Sequence, residues 1–136
     1  MVLNFKEQRK LSVCFFLFAL SIILGALASH ALKDFLSEER LVIFNKANYY
    51  LGIQSLAIIV LFVYKTMKLF LLDNHIISII FWGMVLFSLS LYLTSFSELD
   101  GLEFLKHASK TAPIGGVLMI VGWLWVAIKF WRKSKL

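Results

Sequence analysis

The chain has 136 residues, of which 60% are hydrophobic and 16% charged, and its mean hydropathy is +0.84. Soluble domains sit near about 45–50% and 25%, so a water-soluble core of this length is excluded and a bilayer is implied. The formal charge of +6 invites a nucleic-acid partner, but the charges lie between long apolar runs, which excludes that class, and a single cysteine, Cys14, excludes an internal disulfide.

Four stretches lack Lys, Arg, Asp and Glu: residues 11–32, 47–64, 75–97 and 111–128. Each approaches the roughly 20 helical residues that cross a hydrocarbon layer of about 30 Å. Inside lipid a backbone must satisfy its own hydrogen bonds, so these stretches are helices. The predicted fold class is all-α: a single-domain integral membrane four-helix bundle over residues 1–136, with spans near 11–32, 47–66, 75–97 and 112–131.

The arm before span one carries Lys6, Arg9 and Lys10. With Ala26, Leu27 and Ala28 it has the outline of a secretory signal, but the apolar run exceeds the roughly 7–15 residues of a signal core and reads as a retained span. Ser21, Gly25 and Ser29 recur every fourth position and form one smooth helix-packing stripe. His30 follows two residues before the span ends.

In the first connection, Ser37 with Glu38 and Glu39 reads as a helix N-cap followed by acids in the first turn. Leu36 and Leu41 have the spacing of a hydrophobic staple, and Leu41, Phe44 and Asn48 share a face. Two readings stay open: a short amphipathic interfacial helix running into span two, or a plain N-terminal extension of that span. Span two carries Tyr50 and Gln54, and is expected to continue through Lys65 and Lys68 to Leu72 with both lysines snorkelling to the lipid surface. Span three carries Trp82, Gly83, Ser88, Ser90 and Tyr92. A helical turn is predicted near residues 102–107, and Pro113 suits the first turn of span four, which carries Gly115, Gly116, Gly122 and Trp123.

Nine Lys and Arg residues fall on the side of the two termini and five on the other, which places both termini in the cytoplasm. The basic excess also suits anionic lipid headgroups, so membrane lipids are the first expected partners. Gly83 and Gly122 join Ser21, Gly25 and Ser29 as close-packing positions, favouring a tight antiparallel bundle, a homo-oligomer seam or a larger membrane complex.

A polar layer is predicted in the outer half of the bundle, where all four spans contribute: His30, Tyr50, Gln54, Ser88, Ser90, Tyr92, Gly115 and Gly116. Polar groups in lipid usually face the bundle interior, and a neutral imidazole can bond a glutamine amide or a tyrosine hydroxyl. The layer is therefore the candidate ligand-binding site, although His30 also reads as a simple plug between helices. The spacings His30–Asp34–Glu38 and Glu103–His107 are those of metal ligands, but exposed acids are ordinarily just solvated, and neither a metal site nor a cofactor is expected. No phosphate loop, nucleophile elbow or HExxH pattern is present, so no catalytic residue is predicted.

Several of these residues carry a resemblance. "GALASHALK" (Gly25 to Lys33), "FNKANYY" (Phe44, Ala47, Tyr50), "FSLSLY" (Phe87 to Tyr92), and "TAPIGG" with "GW" (Thr111, Pro113, Gly115, Gly116, Gly122, Trp123) resemble the YgdD/YwdK-like small four-span membrane proteins, a family of unknown function with a mitochondrial relative. The resemblance spans nearly the whole chain. It implies a multi-pass protein of the bacterial cytoplasmic (inner) membrane and supplies no activity. It also implies a histidine where Gln54 stands and a glutamine where Leu51 stands, and a Thr–Pro spacing without Ala112. Residues and resemblance together predict a non-enzymatic accessory or assembly subunit or small oligomer; the alternative is a protein that binds or transports a lipid headgroup or small molecule through the polar layer.

Overall fold

The computed structural model describes residues 3–67 and 73–133, and every regular element among them is helical. Four long helices follow in chain order: α1 (Phe5–Ser29), α2 (Glu38–Thr66), α3 (Asn74–Ser95) and α4 (Ala112–Lys133). Short 3-10 segments, Ala31–Asp34 and Glu103–Thr111, occupy the first and third connections. All four long helices are long and apolar enough to cross a membrane. Even the shorter ones, at 22 residues, rise about 33 Å.

Local chemistry sets the ends. Asn4 caps α1 in a reciprocal box: its Oδ1 accepts from the Glu7 N–H at 3.0 Å, and Glu7 Oε2 accepts from the Asn4 N–H at 2.8 Å. This cap starts the helix before Lys6, Arg9 and Lys10, six residues ahead of the charge-free stretch. Ser37 caps α2 as predicted, with Oγ accepting from the Arg40 N–H at 3.4 Å. Leu36 and Leu41 pack in one small cluster with Ala28 and Phe44. The amphipathic segment expected between spans one and two is the first turns of α2, continuous with the span. Pro113 lies in the first turn of α4, where a missing N–H costs nothing.

Each helix runs antiparallel to the next, and α1 and α4 do not meet among the described residues. The α1–α2 register is marked by Glu7 with Lys65, Ser21 with Gly52 and Gly25 with Asn48. Between α2 and α3 it is marked by Ser55 with Met84 and Asn48 with Tyr92. Between α3 and α4, Asp73 pairs with Lys129, Ile80 meets Gly122, and Gly83 meets Gly115. The central pair, α2 and α3, supplies most of the core: Leu51, Ile58, Phe62, Ile77, Ile80 and Met84 are all buried. By contrast α1 buries only Glu7, Cys14, Ser21 and Ala28, spaced seven apart, so a single narrow line of it is sealed within the bundle. Phe16, Ile22, Trp82, Ile120 and Leu124 point outward and are about three-fifths exposed, which is stable only where the solvent is itself apolar.

The small-residue stripes lie at the tightest seams. A Cβ on Gly115 would stand 2.6 Å from the Phe87 nitrogen and 2.7 Å from the Gly83 carbonyl oxygen. Gly83 is equally confined, by Gly115 O and Met119 N at 2.9 Å, and Gly122 accommodates the Ile80 side chain. On α1, Ser21 packs on Gly52 and Gly25 on Asn48, whereas Ser29 is exposed and donates to the Gly25 carbonyl oxygen at 3.0 Å.

Both ends of the bundle are clasped by ion pairs. At the end carrying the termini, the Lys65 ammonium contacts Glu7 and Asn74, and Lys129 pairs with Asp73. Lys65 therefore does not snorkel to lipid: its side chain is 11% exposed, because a carboxylate on the adjacent helix offers a better partner than the headgroup layer. The expected continuation through Lys68 to Leu72 lies outside the described residues, and α2 itself ends at Thr66. At the opposite end Arg40 Nε stands 2.8 Å from Glu98 Oε1, and Ser37 Oγ donates to Glu98 Oε2 at 2.7 Å. The Lys129 ammonium holds the Asp73 carboxyl below its ordinary range, and Arg40, with Ser37, does the same for Glu98.

Candidate functional site

The predicted layer separates into three groups. His30 is the C-terminal cap of α1; its ring is exposed and meets neither Gln54 nor Tyr92. Ser88, Ser90, Tyr92 and Gly115 are packed between helices. Tyr92 donates to Asn48 Oδ1 at 2.9 Å, with its ring edge-on to Phe44 at 4.9 Å. Ser90 returns its proton to its own helix, donating to the Phe87 carbonyl oxygen at 2.8 Å. Ser88 is 1% exposed, and its Oγ has no partner among the described residues. The third group, Tyr50, Gln54 and Gly116, gathers around a cavity of about 490 Å³.

The cavity follows from the helix arrangement. Because α2 and α4 both pack closely on α3 and meet each other only through side chains, among them the Tyr64 and Phe130 rings with centroids 5.8 Å apart, a trough remains between them with α3 as its floor. Tyr50 and Gln54 form the α2 wall, Phe87 the floor, and Gly116, Met119, Ile120, Trp123 and Leu124 the α4 wall. The Tyr50 and Phe87 rings meet edge-on with centroids 4.8 Å apart. Gly116 leaves room that a side chain would take, since a Cβ there would touch only the Phe87 ring at 3.8 Å.

One hydrogen bond crosses the trough: Trp123 Nε1 donates to Gln54 Oε1 at 2.8 Å. It fixes the glutamine with its acceptor satisfied and its NH₂ donors unclaimed by any described residue. The Tyr50 hydroxyl is likewise unclaimed, so the cavity is an apolar slot with a small set of neutral donors at one wall. The lining contains no charged side chain. Gln54 is near the middle of α2, whose first turns, from Glu38, precede the charge-free stretch.

Sequence reasoning missed Trp123 as the partner of Gln54 and did not place Phe87, Met119, Ile120 or Leu124 at a site. The available signal was weak: an amide and an indole, each in an apolar span, need partners, but pairing them requires the register of three helices. Histidine placement is also informative. His30, His75 and His107 are all exposed, and His107 Nδ1 lies 3.2 Å from the Phe104 carbonyl oxygen. No group of three or more His, Cys, Asp or Glu side chains suited to a metal gathers among the described residues. Cys14 is fully buried in the core.

Comparison with known proteins agrees with the membrane architecture. Residues 24–116 match the family described as "Protein of unknown function (DUF423)". A UPF0382 membrane protein of Staphylococcus saprophyticus is 33% identical over 107 residues, covering 76% of this chain and 81% of that protein. Similar membrane proteins of Staphylococcus epidermidis and Staphylococcus aureus are 32% and 31% identical, each covering 76% of this chain and 80% of the relative. No solved structure matches. With four membrane-capable helices in one bundle and this match over most of its length, the chain belongs to the DUF423 family, membrane proteins of unknown function.

Proposed function

We propose that this protein is a non-enzymatic, multi-pass protein of the bacterial cytoplasmic membrane, with both termini in the cytoplasm, that binds a neutral amphiphile between α2 and α4. The observation carrying this reading is the apolar trough crossed by the Trp123–Gln54 hydrogen bond. A ligand with an aliphatic or ring body would fill the trough, and one hydroxyl or carbonyl would accept from the Gln54 NH₂ or the Tyr50 hydroxyl. The lack of charge in the lining favours a neutral group over a headgroup phosphate. A binding role also suits the rest of the bundle. The nucleophile-type Cys14 is sealed in the core, and Ser21 and Ser90 bond their own helix carbonyls. The charge count of nine against five supports the orientation.

A second reading, an accessory or assembly subunit, is favoured by one observation: α1 and α4 do not close on each other, so two broad apolar helix faces stay open to further transmembrane helices. In that case the trough would take a side chain of a partner.

The test uses the full chain with Trp82, Trp125 and Trp131 replaced by Phe, leaving Trp123 as reporter. Titration with dibromostearyl alcohol in mild detergent should quench Trp123 saturably. Gly116→Leu, which fills the trough, should abolish the saturable component. Gln54→Leu should weaken it about two- to tenfold, the worth of one neutral hydrogen bond. Quenching that stays linear in probe and is indifferent to Gly116→Leu would refute the reading.

A further inference from the structure

A second trough lies on the other side of the bundle, at the end that carries both termini. It is formed by α1 and α3, encloses about 560 Å³, and is lined by Lys6, Arg9, Lys10, Val13, Phe81 and Trp82. We propose that this trough is a binding site for an anionic glycerophospholipid, with the headgroup phosphate held by Lys6, Arg9 and Lys10 and an acyl chain lying over Val13, Phe81 and Trp82.

Charge is the first support. The three cations occupy the first turns of α1, and the one carboxylate among them, Glu7, is turned inward. Glu7 is 6% exposed and is engaged by the Asn4 N–H and the Lys65 ammonium. Neither Lys6 nor Arg9 makes an ion pair among the described residues, and Lys10 reaches only the Ser78 hydroxyl. That contact uses one of three ammonium protons, and it pins the amine at the mouth of the trough. The capping box of Asn4 and Glu7 therefore starts the helix early enough to put the cations on its first turns, and Glu7, engaged by Lys65, does not line the trough, although it borders a smaller pocket with Lys6 and Lys10.

The walls give the second support and decide between anions. A soluble phosphate or a nucleic acid would gain nothing from Val13, Phe81 and Trp82, whose apolar surface continues the trough into the span. Trp82 is 61% exposed, so most of its surface is open to a chain, and its ring stands nearly perpendicular to that of Phe81 with centroids 5.4 Å apart. From Lys6 to Val13 the helix rises about 10 Å, the depth over which a phospholipid passes from phosphate to acyl chain. Cationic rim and apolar floor match one molecule end to end, and basic pockets between spans are known recognition sites for anionic headgroups.

The test takes the full chain with Trp123, Trp125 and Trp131 replaced by Phe, so that Trp82 reports, in vesicles doped with brominated phosphatidylglycerol or brominated phosphatidylcholine. Trp82 quenching should favour the anionic lipid several-fold at equal mole fraction. Each neutralised cation should reduce that preference roughly fivefold at low salt until it disappears. Lys6→Gln with Arg9→Gln is the principal variant, since it leaves the Lys10–Ser78 contact in place; adding Lys10→Gln completes the series. Lys106→Gln with Lys110→Gln, at the opposite end, should leave the preference unchanged. Equal quenching by the two lipids, a preference that survives the Lys6/Arg9 change, or an equal loss on removing Lys106 and Lys110 would each overturn the proposal.

Discussion

Adjacent glycines in α4 illustrate how finely a residue's role depends on its side of the helix. Gly115 has backbone atoms of α3 within 3 Å of where a Cβ would stand, and neither helix can yield without opening the seam. Gly116, one position on, faces the trough and would meet only a ring at ordinary van der Waals distance. Gly115→Ala should therefore cost about 1–3 kcal/mol, the usual range for overpacking a tight site, and Gly116→Ala close to nothing. Unfolding of the two variants in mixed detergent micelles measures the contrast; equal losses would show that the α3–α4 approach is not as close as described. The paired glycines were visible in the sequence as members of the candidate binding layer, but not the division of labour between them. That division follows from the rotation of α4 about its axis, and the rotation is fixed by Ile80 entering the space at Gly122. Gln54 was legible as a polar residue needing a partner. Its partner, 69 positions away, was not, because α2 and α4 meet only through long side chains while their backbones both pack on α3.

At the scale of elements, each helix end is set by a local signal and each seam by what it excludes. The Ser37 cap and the placement of Pro113 could be read directly, since capping and proline tolerance depend on neighbours in sequence. The start of α1 could not be read from charge alone: a stretch free of ionisable residues marks the lipid-buried part of a helix, not its ends. The same reasoning misjudged Lys65, which a boundary rule sends to the lipid surface and the fold sends to Glu7. That pair is largely buried, with side chains 11% and 8% exposed. Removing one partner leaves an uncompensated charge at the α1–α2 seam, so Glu7→Leu or Lys65→Met should each destabilise by about 3–5 kcal/mol. The double change Glu7→Leu with Lys65→Met should recover most of the loss. A double-mutant cycle in detergent decides it, and strictly additive single losses would mean that the two groups do not interact.

Taken whole, the molecule is an open chain of helices rather than a closed square: α2 and α3 form the centre, and α1 and α4 flank them without meeting. This openness leaves one trough on the α2–α4 side, neutral and apolar, and one on the α1–α3 side, with a cationic rim. Four spans and antiparallel order were predictable from hydropathy and charge, because lipid imposes helices and an even number of spans returns both termini to one side. The troughs were not predictable, since they depend on which pairs of helices keep their backbones apart and meet only through side chains. The neutral trough is the centre of the functional reading, and its occupancy can be observed without a reporter substitution. With isotope-labelled protein in deuterated micelles and protonated stearyl alcohol added, the Gln54 side-chain amide and the Trp123 indole proton should both shift saturably. Both should also show nuclear Overhauser contacts to the alcohol's methylene protons. If those protons instead contact only detergent, or shift in proportion to added alcohol without limit, the trough is ordinary lipid-facing surface and the binding role fails.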